Sequence, residues 1–144
     1  MRRIGMAWVL ALGLVAGCVD RPAGHSQVTS LADDRSQPAA ALFEHLLTAY
    51  LAENPQAPAV CVTLAPAPLA AGQLAALVAR FPSIVPAAGC TPATPRVEVY
   101  DFACDSADSC TAWANAAGHP STRWQVRWVD GSWRFAADLR RVAW

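Results

Sequence analysis

Hydrophobic and polar positions divide this 144-residue chain into blocks of different period. Ile4 to Val15 is an unbroken apolar run behind Met1-Arg2-Arg3, and residues 19–37 are polar and irregular. From Pro38 to Glu53 the period is helical. Leu42, Leu46, Ala49 and Tyr50 fall on one stripe, with Phe43, Leu47 and Leu51 beside it. Ser36 is the expected N-cap, Pro38 suits the first turn, and Asn54-Pro55 ends the helix. Val60, Val62 and Leu64 alternate with Cys61 and Thr63, which predicts a short strand. A second helix is expected over Leu69–Phe81, with Leu74, Leu77, Val78 and Phe81 on its apolar face and Pro82 as its stop. The segment from Ser83 to Arg96 holds Pro86, Pro92 and Pro95 and predicts an ordered loop; Val97 to Ala103 alternates as a strand.

The sharpest local pattern is at the C-terminal end. Thr122–Val129 and Ser132–Leu139 flank Asp130-Gly131, a pair suited to a type I′ turn because both central residues need positive φ. That turn sets the register: Val129 opposite Ser132, Trp128 opposite Trp133, Val126 opposite Phe135, Trp124 opposite Ala137 and Arg123 opposite Asp138. The apolar residues then share one face. Arg123, Gln125, Arg127, Arg134 and Asp138 share the other. Arg127 directly opposite Arg134 is a mildly repulsive pair unless an anion lies near. The expected fold class is α+β, with two helices packed on a small antiparallel β-sheet that ends in this hairpin.

Composition narrows the reading. The hydrophobic fraction is 54%, but much of it is alanine, which buries little area per residue, so the core must be modest. The formal charge is zero with 11 cations, all arginine, and 11 acids. There is no global basic excess of the kind that marks a nucleic-acid-binding protein, so no nucleic-acid partner is expected. The arginines are unevenly spread, however. Five of them (Arg123, Arg127, Arg134, Arg140 and Arg141) lie from residue 123 onward, accompanied only by Asp130 and Asp138 as acids.

The apolar run at the N-terminus is shorter than the roughly 20 residues a membrane span needs, and has the length of a signal-peptide core. It leads into Val15-Ala16-Gly17-Cys18. This tetrad resembles the lipobox of bacterial lipoproteins: an aliphatic residue, two small ones and the cysteine that takes the lipid. The resemblance implies residues 1–17 as a signal peptide, cleavage before Cys18, and acyl chains on Cys18 that hold the protein to a membrane. Residues 18–37 would be the lipidated cysteine with a flexible tether, and residues 38–144 a single domain. Aspartate after the acylated cysteine favours the inner membrane in enteric lipoproteins. Val19 stands there, so the resemblance points to the periplasm-facing side of the outer membrane.

With Cys18 assigned to lipid, Cys61, Cys90, Cys104 and Cys110 remain. An even number in an oxidising compartment reads as two disulfides. Three pairings are open, and locality favours Cys61–Cys90 with Cys104–Cys110. A metal or redox role is disfavoured, because no Cys-x-x-Cys occurs and no histidine stands at ligand spacing from a cysteine.

The stretch from Val126 to Phe135 also resembles the final hairpin of NTF2-like and cystatin-like domains, in which a curved sheet wraps a helix. The likeness spans about ten residues and implies no site residues for this chain.

Candidate chemistry is sparse. Glu44 and His45 are adjacent on a helix and diverge by about 100°. His119 precedes Pro120 in a turn, and His25 lies in the tether. Asp101, Asp105 and Asp108 cluster near the short disulfide and invite comparison with a calcium loop, but their spacing matches no EF-hand. No nucleophile elbow, phosphate loop or dinucleotide fingerprint occurs, so neither cofactor nor metal is expected. Exposed Trp and Arg together have the composition of interface hot spots, which makes Arg127, Arg134, Arg140, Arg141 and Trp144 the candidate partner-binding residues. Two functions are compatible with these features. The first is a non-enzymatic binding, inhibitor or accessory protein of the cell envelope. The second is an NTF2-like domain that binds or transforms a small ligand, which an open pocket lined by Glu98, Tyr100 or His45 would favour.

Overall fold

The computed structural model describes residues 29–138. Two helices pack against one face of a five-stranded sheet, an α+β fold. The first helix, α1, spans Pro38–Glu53, with Pro38 in its first turn. Gln37, not Ser36, is the N-cap, and its side chain makes no capping bond. Ser36 instead donates its backbone N–H and hydroxyl to Asp34 Oδ1, at 2.9 and 2.7 Å, and Gln37 Nε2 donates to Asp34 Oδ2 at 2.6 Å. An aspartate turn has taken the serine that would otherwise cap the helix. At the other end, the backbone N–H and side-chain amide of Asn54 both donate to the Tyr50 carbonyl.

Strand β1 (Cys61–Leu64) is followed by α2 (Ala71–Arg80), shorter at both ends than the pattern predicts. Gln73 Oε1 accepts from the Ala70 N–H at 3.2 Å and fixes its start; Phe81 N–H donates to the Leu77 carbonyl, and Pro82 prevents a further turn. Leu77 is fully buried while its neighbour Val78 is exposed, because adjacent helical positions diverge and only one can face α1. Strands β2 (Arg96–Ser106), β3 (Ser109–Ala116), β4 (Thr122–Val129) and β5 (Ser132–Asp138) follow as an antiparallel meander.

Three features differ from the sequence reading. First, the sheet is not wholly antiparallel. β1 runs parallel to β2, Val62 opposite Val97 and Leu64 opposite Val99. The long connection through α2 permits this, where a tight hairpin could not. Second, β3 is an additional strand. Its inward positions are Cys110, Ala112 and Ala114, all buried, so its alternation is carried by small residues that hydrophobic patterning underweights. Third, residues 30–37, expected as the end of a flexible tether, are folded against the domain. Ser30 onward belongs to the domain: Leu31–Asp33 form a 3-10 turn, and Trp133 Nε1 donates to the Asp34 carbonyl at 3.0 Å.

The core lies between α1 and the inner face of the sheet. Leu42, Phe43 and Leu47 of α1 meet Val97, Val99, Ala112, Ala114, Val126 and Trp133. Alanines along β3 let the helix approach closely, and the larger side chains then fill the space with burial contributing about 1.5–3 kcal/mol each. The C-terminal hairpin has the register that its turn dictates, from Val129 opposite Ser132 to Arg123 opposite Asp138. Asp130 and Gly131 both have positive φ, 51° and 79°.

Candidate interaction face

Both helices lie on one side of the sheet: α1 packs on β2, β3 and β5, and α2 packs on α1. The opposite side carries the alternate residues of each strand. Three rows cross it. Tyr100 is opposite Trp113, Trp113 opposite Arg123, and Arg123 opposite Asp138. The next row is Thr111, Gln125 and Ala136. The third is Ser109, Arg127 and Arg134. Arg123, Arg127 and Arg134 are exposed, while Tyr100 and Trp113 are half-buried beside polar neighbours. Arg127 and Arg134 form no ion pair among the described residues.

Where this face meets the β2–β3 end, an open concavity of about 540 Å³ is bordered by Thr94, Arg96, Glu98, Asn115 and His119. Its charges are largely matched internally. Arg96 and Glu98 approach to 3.7 Å, and His119 Nε2 lies 2.9 Å from Glu53 Oε2. The concavity is on the outer side of the sheet; the inner side is filled by α1.

The four cysteines form two disulfides, Cys61–Cys90 and Cys104–Cys110. The first ties β1 to the proline-rich loop, and the second joins facing residues at the tip of the β2–β3 hairpin. Asp101, Asp105 and Asp108 do not converge. Among the described residues no three His, Cys, Asp or Glu side chains gather as metal ligands, and Asp108 is paired with Arg35. His45 does not reach the concavity. It stacks on Phe135 at 4.7 Å and meets the edge of Trp124 at 5.2 Å, and burial there holds its pKa below the ordinary histidine value. Cys18, His25, Arg140, Arg141 and Trp144 lie outside the described residues.

One polar centre has no counterpart in the sequence reading. Glu44 is buried on α1, and its carboxylate accepts from the Ser30 hydroxyl at 3.2 Å and the Leu31 N–H at 2.5 Å, while Arg80 Nε of α2 approaches to 2.6 Å. It joins the N-terminal segment, α1 and α2 at one point. The available signal was a lone acid within the apolar stretch Ala39–Leu47. Trp113 takes its place on the outer face through β3, opposite Tyr100 and Arg123.

No family model, curated protein or solved structure matches this chain.

Proposed function

We propose that this chain is an exported lipoprotein of the bacterial cell envelope, anchored through lipid on Cys18 and acting as a non-enzymatic binding, inhibitor or accessory protein. The lipobox-like tetrad supports the anchor, and two disulfides bracing a small domain suit an oxidising compartment. The observation that carries the binding role is the open sheet face on which Trp113, Tyr100 and three arginines stand together. Crosslinking in intact cells, followed by extraction of the full chain, should recover one stoichiometric envelope protein through residues of that face. Crosslinks scattered over all faces would count against the role.

A second reading, binding of a small polar ligand, draws support from the concavity beside Glu98. It ranks lower because the carboxylate is already matched by Arg96 and the site is open to solvent. Saturable shifts at Asn115 and His119 in a ligand screen by NMR, lost in Glu98→Gln, would raise it above the first.

A further inference from the structure

The outer face is unevenly charged. On β4 and β5 it carries Arg123, Arg127 and Arg134 against Asp138, whereas on β2 Arg96 and Glu98 offset each other. Within the arginine-rich half, Arg127 and Arg134 are directly opposed across the ladder. Like charges at directly opposed positions destabilise a sheet. A carboxylate placed between two guanidinium groups reverses the sign of that interaction, since each guanidinium is a planar multiple donor suited to carboxylate oxygens. Arg123 precedes Arg127 by four residues on the same strand, about 13 Å at strand rise. An extended segment with acidic side chains four residues apart has the same spacing and the same facing.

Taking the outer face as the binding surface, we propose that Arg127 and Arg134 together clamp a carboxylate of an acidic, extended protein segment, with a second carboxylate reaching Arg123. Thr111 and Gln125 stand between the two anchoring positions and offer hydrogen bonds to the crossing chain, and Trp113 offers an aromatic surface beside Arg123. The mixture favours a protein partner over a membrane. A bilayer surface presents uniform negative charge, while this face interleaves Asp138, Glu98, neutral polar groups and half-buried aromatics with its arginines, the composition of a protein interface.

The test is a titration of the full chain in detergent micelles with an octapeptide of alternating glutamate and threonine, followed by backbone amide NMR. Shifts should concentrate on β4 and β5 around Arg123, Arg127 and Arg134. Affinity should fall about tenfold in Arg127→Gln/Arg134→Gln and fall again with added salt. Arg96→Gln, on the same face but matched by Glu98, should change affinity less than twofold. The amide pattern of the free variants reports that the sheet is intact. Absence of peptide binding, equal binding by the double variant, or shifts centred away from β4 and β5 would overturn the proposal. So would binding of phosphatidylglycerol vesicles through Arg127 and Arg134 without peptide binding. A chain found to lack lipid on Cys18 would remove the anchor from the account and leave this result standing.

Discussion

Glu44 shows how much one residue can organise in a small core. Its carboxylate is almost fully enclosed and gathers donors from Ser30 and Leu31 of the N-terminal segment and from Arg80 of α2, joining both to α1. Hydrogen bonds to a charged group contribute about 1.5–3 kcal/mol each, and removing one partner leaves the others buried without a match. Glu44→Ala should therefore lower unfolding stability by roughly 2–3 kcal/mol in urea titration, and the N-terminal segment should lose amide-exchange protection first. His45, one position along, acts in the opposite electrostatic sense. Partial burial of the ring beside Phe135 and Trp124 disfavours its charged form and lowers its pKa from 6.5. The unfolded chain then binds a proton at higher pH than the folded one. Stability is full above the unfolded value and is lost as pH falls through 6.5 toward the lower folded value. His45→Phe should flatten that slope in unfolding measured from neutral to mildly acidic pH. Arg134 presents the converse of a stabilising contact. Arg134→Thr should raise stability by about 0.2–1 kcal/mol at low salt, because it removes a like-charge pair from the ladder.

At the scale of elements, the turn and the disulfides set the frame. Gly131 has φ of 79°, where a β-branched residue is strained, so Gly131→Val should cost roughly 1–2 kcal/mol in urea unfolding without changing the strand pairing. The Cys61–Cys90 bridge closes a much longer stretch than Cys104–Cys110, with separations of 29 and 6 residues. Chain-entropy reasoning assigns about 3–4 kcal/mol to the first and about 2 kcal/mol to the second. Thermal melts of the two paired Cys→Ala variants should follow that order. The elements most legible in the sequence were those whose local rules are strong. The Asp130-Gly131 turn fixed a whole hairpin register, and Pro38 and Asn54 bounded α1. Elements that depend on distant partners were less legible. β3 presents alanines to a helix that only the folded chain brings near, so its burial did not register as hydrophobic alternation. The direction of β1 depends on where α2 returns the chain. Ser36 was lost as a cap because Asp34, two residues earlier, competed for it. For the site, Arg127 and Arg134 were visible from the turn alone, whereas Trp113 and Tyr100 joined them only through β3.

For the whole molecule, the architecture separates bracing from display. Helices, disulfides and the Glu44 junction all lie on or behind the inner side of the sheet or at its margins. The outer face of β3, β4 and β5 displays half-buried Trp113 beside exposed Arg123, Arg127 and Arg134. The proposed envelope role depends first on the anchor at Cys18. Intact mass of the protein extracted from membranes, recorded with and without reductant, tests it directly. An anchored, doubly bridged protein has a chain that begins at Cys18, carries acyl chains there, and gains four hydrogens on reduction. A mass equal to the unprocessed 144-residue chain, or to a processed chain without lipid, would contradict it.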